Sequence, residues 1–151
     1  MNPVTESLLV LYQRDLDKLG EELKQYPSQE SMWTISGDIK NSAGNLCLHL
    51  CGNLQHFIGT VMGNSGYVRN RDAEFADKGI PREKLLDEIA KTKKAIADTL
   101  PNITDTQLQA QYPIDVFGKP MTTVHFLIHL GAHLGYHLGQ VNYHRRLVGT
   151  R

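Results

Sequence analysis

The amino-acid sequence predicts an all-α protein folded as a four-helix bundle. Four segments repeat apolar residues at spacings of three and four, as one buried face of a helix requires. Residues suited to helix ends lie at the boundaries of these segments, and no segment predicts a convincing sheet. A chain of 151 residues has the usual length of one domain, so we expect a single bundle over residues 1–151.

The first two predicted helices differ in how much of their surface is apolar. The first begins at Asn2-Pro3, a capping residue followed by a proline suited to the first helical position, and ends at Tyr26-Pro27. The second covers about Asp38 to Met62 and is apolar around most of its circumference. That pattern is typical of a helix buried inside a bundle.

The third and fourth predicted helices flank a segment without helical periodicity. The third helix runs from Pro81 to about Leu100, and the fourth from about Thr122 to Leu147, with Thr122 or Thr123 as its N-cap. Between them, residues 101–121 predict a short extended excursion that closes through a Gly-Lys-Pro turn.

Composition and charge exclude several classes of function. Lys plus Arg is 16 and Asp plus Glu is 16, so the chain lacks the basic balance of a nucleic-acid-binding domain. No stretch approaches the roughly 18 apolar residues of a membrane span. Charged residues interrupt the N-terminal segment, which therefore does not resemble a leader peptide. We expect a cytoplasmic protein that binds neither nucleic acid nor membrane.

Histidine is the unusual residue of this sequence. Of seven histidines, five lie within residues 125–151, and four of these are His125, His129, His133 and His137. Each step of four residues advances about 40° around a helix, so neighbours share a face but the outer two lie about 120° apart. An adjacent pair such as His133 and His137 can therefore bind one ion, as paired histidines do in other helical zinc sites.

The second predicted helix can supply a third ligand. It carries one polar stripe on an otherwise apolar surface, formed by Ser42, Asn45, His49, Asn53 and His56. Unpaired polar groups inside a bundle cost about 1–3 kcal/mol each, so a site between two helices would explain the stripe. The spacing predicts a metal site formed by His49, His133 and His137.

The other polar candidates have less distinctive positions. Cys47 and Cys51 point away from His49 and are expected to be core thiols. His125 and His144 are expected in ordinary roles, either hydrogen-bonded in the core or at the surface. For the remaining candidates two interpretations stay open: they orient ligands or substrate, or they are polar groups satisfied within the bundle. These candidates are Asn45, Asn53, His56, His129 and Gln140.

The order of these motifs resembles the DinB-like (YfiT-like) family of metalloenzymes. The resemblance covers nearly the whole chain, including Trp33, and it rests on three segments. They are residues 45–57 (NLCLHLCGNLQHF), 69–75 (RNRDAEF) and 133–140 (HLGYHLGQ). It implies a four-helix bundle with zinc or nickel held by three histidines, at His49, His133 and His137. It also implies a low-molecular-weight thiol as cosubstrate, as in bacillithiol transferases and mycothiol isomerases, and a homodimer.

The resemblance leaves one cluster without an assigned role. Arg69, Arg71 and Glu74 belong to the second segment, and we expect them in a solvated, salt-bridged loop.

Two functions follow from this site and stay open. Three neutral imidazoles with an open coordination position are typical of catalytic zinc, which lowers the pKa of a bound water or thiol. The first function is therefore a metal-dependent enzyme of thiol transferase or hydrolase type that acts on a small-molecule substrate. The alternative is a non-catalytic bundle in which the metal stabilises the fold or a dimer, and it predicts a fourth protein ligand such as His129 or His56. We favour the enzyme.

Overall fold

Six α-helices and short connecting turns make up the computed structural model, which describes residues 1–150. The helices in chain order are α1 (Pro3–Lys24), α2 (Ala43–Leu54), α3 (Arg71–Ala76), α4 (Arg82–Thr99), α5 (Asp105–Gln109) and α6 (Thr123–Leu147). A π-helical turn, Gln55–Thr60, continues α2, and 3-10 turns lie at Glu30–Trp33 and Leu100–Asn102. None of the described helices is long and apolar enough to cross a membrane.

The four long helices form the predicted bundle. Helix α1 packs against α4 and α6, and α2 packs against the same two helices. Each long helix therefore has two long neighbours, which confirms the predicted all-α four-helix bundle.

The bundle core is formed mainly by leucines that the helical spacing had placed inward. Leu16, Leu19 and Leu23 of α1 are completely buried, as are Leu50 and Leu54 of α2. Burying one such side chain stabilises the fold by roughly 1.5–3 kcal/mol. The free thiols of α2, at residues 47 and 51, are also buried, which confirms the prediction of core cysteines.

Two predicted helix starts are confirmed and one is wrong. The side chains of Asn2 and Thr122 cap α1 and α6 by accepting hydrogen bonds from backbone N–H groups. Helix α2 begins at Ala43 rather than at Asp38, because the Ser42 side chain accepts from a backbone N–H of the first turn. Ser42 therefore caps the helix, and its hydroxyl also donates to Oδ1 of Asn45, the next residue of the polar stripe, at 2.8 Å.

The connection between α4 and α6 is more structured than predicted. Gln111 and Thr122 form an isolated antiparallel bridge, and the Tyr112 N–H donates to the Met121 carbonyl at 2.8 Å. The extended excursion is thus present at these positions. Its first part instead forms α5, which begins with a capping box between Thr104 and Gln107.

Candidate metal centre

Three histidines meet between α2 and α6. His49, His133 and His137 each offer one ring nitrogen, and these atoms lie within 4.8 Å of one another. Nε2 of His49 lies 3.2 Å from Nε2 of His133. Two nitrogens that bind one tetrahedral zinc at about 2.0–2.1 Å lie about 3.3 Å apart, so this spacing fits a shared metal ion.

Helices α2 and α6 supply the three histidines from opposite sides of the site. His133 and His137 are one turn apart on α6, with ring centroids 4.5 Å apart and planes at 89°. His49 faces them from α2 and is buried, whereas the two α6 histidines are half-buried. The centre therefore has a closed side at α2 and a more open side along α6.

A carboxylate holds His49 from behind. Nδ1 of His49 lies 3.0 Å from Oε1 of Glu74, which is buried on α3. Burial raises the pKa of Glu74, but hydrogen bonds from His49 and Arg69 and the charge of Arg69 together bring the pKa below its ordinary value. An ionised carboxylate only accepts hydrogen bonds, so Nδ1 of His49 carries the proton and Nε2 presents its lone pair to the centre.

Arg69 fixes this carboxylate in turn. Its Nε donates to Oε2 of Glu74 and its Nη2 donates to Oε1, both at 2.9 Å. The guanidinium also lies over the ring of Phe57, 5.7 Å from the centroid. A bidentate guanidinium–carboxylate pair fixes both groups in one plane, so Glu74 has little freedom to turn away from His49.

Two further α2 residues make room for α3 and hold it. A Cβ at Gly52 would lie 1.9 Å from Oε2 of Glu74, so only glycine lets the carboxylate approach this closely. The side-chain amide of Asn45 donates to the backbone carbonyls of Glu74 and Asp77, at 2.9 and 2.8 Å. Asn45 thus binds α3 rather than facing the histidines.

Gln140 performs a similar role at the other end of the centre. Its Oε1 lies 2.7 Å from Nδ1 of His137, one turn earlier on α6. An amide oxygen accepts hydrogen bonds. With Oε1 of Gln140 facing the ring, Nδ1 of His137 carries the proton and Nε2 of His137 is free. Nδ1 of His133 is buried without a hydrogen-bond partner among the described residues.

The surroundings favour neutral imidazoles on α6. Burial lowers the pKa of His133 to about 4, and the neighbouring histidines and Arg69 contribute in the same direction. Burial also lowers the pKa of His137, with a smaller contribution from His49, while its hydrogen bond to Gln140 opposes the shift. Neutral imidazole is the form that binds a metal, so both side chains are ready to ligate near neutral pH.

The other predicted candidates lie around the centre without joining it. His129 packs against the ring of Phe117 at 4.9 Å, and His56 packs against Phe57 at 4.8 Å. Asn53 is buried, and its Oδ1 has no hydrogen-bond partner among the described residues. Within residues 1–150, no fourth His, Cys, Asp or Glu joins the three histidines.

Two histidines lie in ordinary positions, as predicted. His125 is exposed in the first turn of α6. His144 is buried, with Nδ1 at 2.6 Å from the Tyr26 hydroxyl and Nε2 at 2.8 Å from the Thr34 carbonyl.

The salt bridge expected in residues 69–74 is present between Arg69 and Glu74, but the expectation that this segment is a solvated loop is wrong. Arg69 is largely buried and Glu74 is buried, whereas Arg71 is exposed and lies 5.2 Å from the ring of Phe75. The missed feature is the link between Glu74 and His49. The one sequence feature connected with this link is Gly52, which lies beside the polar stripe. Gly52 indicates a close contact only when the position of α3 is known.

Comparisons with known proteins agree with this architecture. The profile of a family described as "Protein of unknown function (DUF1572)" matches residues 6–150. The crystal structure of a DinB-like protein from Bacillus cereus ATCC 10987 superposes with a TM-score of 0.74 and 20% sequence identity, covering 97% of this chain and 93% of that one. No curated protein matches the chain significantly. At this identity the structural likeness shows the fold, and it confirms the DinB-like resemblance at that level.

Proposed function

The chain belongs to the DUF1572 family of DinB-like proteins, and from its site we propose that it is a metal-dependent enzyme of thiol transferase or hydrolase type. The observation that carries this proposal is the convergence of three imidazole nitrogens with no fourth protein ligand among residues 1–150. Catalytic zinc sites have three protein ligands and one position for water or substrate, whereas structural sites have four.

The residues behind the histidines fit a bound cation. Glu74 and Gln140 each accept from the Nδ1 of a ligand, so that both Nε2 atoms face the same space. Metal-binding histidines in enzymes are oriented by such carboxylate and amide partners. A divalent cation held by His49, His133 and His137 would supply Lewis acidity, which makes a water or thiol more acidic near neutral pH.

The reaction class follows from this chemistry. A water or small thiol would attack a carbon of an electrophilic small molecule and lose its proton to solvent, as the new O–C or S–C bond forms and the bond from that carbon to the leaving group breaks. The chain's own residues would orient the ligands and keep the buried side of the centre dry. Zinc and nickel both suit three imidazoles, so the donor set does not select between them.

A non-catalytic metal site is the weaker alternative. It required a fourth ligand such as His129 or His56, and both side chains instead pack against aromatic rings outside the cluster. We therefore infer that the fourth position is open to water or substrate.

Turnover assays with and without metal test this function. The metal-loaded protein should accelerate at least one of two reactions: the substitution of chloride in chlorodinitrobenzene by a small thiol, which releases chloride and a proton, or the hydrolysis of an ester. Activity should disappear on chelation, return on reloading, and be absent from His137→Ala while His125→Ala retains it, because His125 is exposed outside the cluster. Activity that survives chelation or His137→Ala would refute the proposal.

A further inference from the structure

His133 differs from the other two histidines of the centre in its second ring nitrogen. Nδ1 of His49 faces Glu74, and Nδ1 of His137 faces Gln140. Nδ1 of His133 is buried and has no hydrogen-bond partner within residues 1–150. Buried polar atoms in folded proteins are nearly always paired, so this nitrogen requires a physical explanation.

The contacts of His49 determine which nitrogen of His133 carries the ring proton. Nδ1 of His49 donates to the ionised Glu74, so Nε2 of His49 presents a lone pair. Nε2 of His133 lies 3.2 Å from Nε2 of His49, at hydrogen-bond distance, and therefore carries a proton and donates to it. A neutral imidazole has one ring proton, so Nδ1 of His133 is an acceptor in this geometry.

Metal binding requires the opposite arrangement at His133. A cation takes the lone pair of one imidazole nitrogen, and the other nitrogen then carries the proton and donates to an acceptor. A cation shared by Nε2 of His49 and Nε2 of His133 would therefore leave the His133 proton on Nδ1. This N–H group would be buried inside the bundle, where an unpaired donor is costly.

Asn53 has an oxygen atom that could accept from this group. Asn53 is only 8% exposed, and its Oδ1 is buried without a partner among the described residues. Oδ1 of Asn53 and Nδ1 of His133 are both acceptors in the present geometry, so they do not attract each other. A change of tautomer would make Nδ1 of His133 a donor, and one hydrogen bond would then pair both atoms.

Contacts between α2 and α6 place Asn53 on the correct side of its helix. Four residues before Asn53, His49 meets His133, and four residues after it, the ring of Phe57 lies 5.2 Å from that of Phe126. Residues four apart share a helix face, so Asn53 faces α6 as its two neighbours do. The two contacts run in opposite chain directions, and Asn53 therefore lies opposite the α6 segment 126–133.

We propose that Asn53 is the positioning residue of His133: its Oδ1 accepts from Nδ1–H of His133 when a cation is bound, directly or through one bridging water. The inference rests on the metal binding of the proposed function and adds how the third ligand is oriented. The proton on Nε2 of His133 leaves to solvent and Nδ1 takes one from solvent, so the charge of the imidazole does not change.

The zinc affinity of two Asn53 variants tests this role. Asn53→Leu has a similar shape without an acceptor and should raise the zinc Kd by about 10–100-fold, as removal of such partners does. Asn53→Asp keeps an acceptor oxygen, and its zinc Kd should match that of the wild type or be lower, because a carboxylate is the stronger acceptor. Zinc Kd values come from competition with a chromophoric chelator, and circular dichroism establishes that each variant is folded.

Asn142→Leu is the matched control for the loss of a partly buried amide. Asn142 lies on α6, outside the three-histidine cluster, and its amide donates to Glu22 of α1 at 2.7 Å. Its replacement should lower the free energy of unfolding in urea and leave the zinc Kd unchanged. Weaker zinc binding in Asn53→Leu is then not a general effect of lower stability.

Nitrogen-15 spectra of the histidine rings measure the tautomer itself, and on the wild type they need no variant. Long-range proton–nitrogen correlations distinguish Nε2–H from Nδ1–H, and the signals of His133 are identified by their loss in His133→Asn. We expect Nε2–H at His133 in chelator-treated protein and Nδ1–H after zinc loading. In zinc-loaded Asn53→Leu, the Nδ1 proton of His133 should exchange with water faster than in the wild type or in Asn53→Asp.

The outcomes separate this proposal from the proposed function. Equal zinc Kd values in the wild type and folded Asn53→Leu would overturn the role of Asn53 and leave the metal site intact. Asn53→Asp that binds zinc as weakly as Asn53→Leu, or Nδ1–H at His133 in chelator-treated protein, would overturn it as well. A wild type that binds no zinc would instead overturn the metal-dependent function, and this proposal with it.

Discussion

Oε1 of Glu74 lies 3.0 Å from Nδ1 of His49, and this contact joins α3 to the three-histidine centre. The partners of the pair are 25 residues apart in sequence and come from different helices. Arg69 holds the carboxylate through two hydrogen bonds, and Gly52 leaves the space that it occupies. The orientation of one ligand thus depends on three residues outside the ligand set.

Replacing the carboxylate should weaken metal binding. Glu74→Gln keeps an acceptor but removes the charge that supports Nδ1–H of His49, so we expect zinc affinity to fall by about 10–100-fold. The zinc Kd is measured by competition with a chromophoric chelator. Asp72→Asn is the control, because Asp72 is an exposed acid on the same short helix. Equal zinc affinity in wild type and Glu74→Gln would show that the carboxylate does not support the ligand.

A methyl group at position 52 should affect zinc binding indirectly, by disturbing the contact between Glu74 and His49. In Gly52→Ala the new Cβ would meet Oε2 of Glu74 at 1.9 Å, so the carboxylate must move away from His49. We expect weaker zinc binding together with lower stability, measured by chelator competition and urea unfolding.

Gly139→Ala is the matched substitution on α6. A Cβ there meets nothing within 4 Å, and alanine should stabilise the helix by about 0.5–1 kcal/mol without weakening zinc binding. If both alanine variants bind zinc as the wild type does, the close approach of Glu74 to α2 is not what orients His49.

The metal-free protein should lose stability as the pH falls below neutrality. His133 has a pKa of about 4 in the fold, whereas an unfolded histidine has a pKa of about 6.5. Between these values the unfolded chain binds a proton that the folded chain excludes, so the free energy of unfolding decreases as the pH falls from about 6.5 towards 4. Above pH 6.5 this contribution is fully present.

Urea unfolding of chelator-treated protein over this pH range measures the effect. His133→Asn should flatten the dependence, and the exposed His125 supplies the control variant, His125→Asn. A His133→Asn curve that runs parallel to the wild-type curve would mean that His133 binds its proton equally well in both states.

Helical periodicity predicts only those residues of the centre that lie on α2 and α6, the two helices that carry its three histidines. The four-residue spacing of His133 and His137 puts them on one face of α6, and the polar stripe of α2 singles out His49. Helix α2 begins at Ala43 and not at the predicted Asp38. Residues 38–41 contain no glycine or proline that would mark a helix boundary, and the cap is the side chain of Ser42.

Contacts made by loops and short helices have no such period. Glu74 lies on a six-residue helix whose position depends on Asn45 and Arg69, so nothing in its immediate sequence distinguishes it from a surface acid. Such features arise from tertiary packing, which local spacing does not encode.

Metal content tests the central claim most directly. The tag-free wild type, reconstituted where necessary, is analysed by elemental mass spectrometry beside His133→Ala and the control His129→Ala, which lies one turn away and outside the cluster. We predict about one zinc or nickel per chain in the wild type and in His129→Ala, and loss of the metal in His133→Ala, since three protein ligands define the site. A wild type that holds no metal after reconstitution, or a His133→Ala that keeps it, would contradict this account.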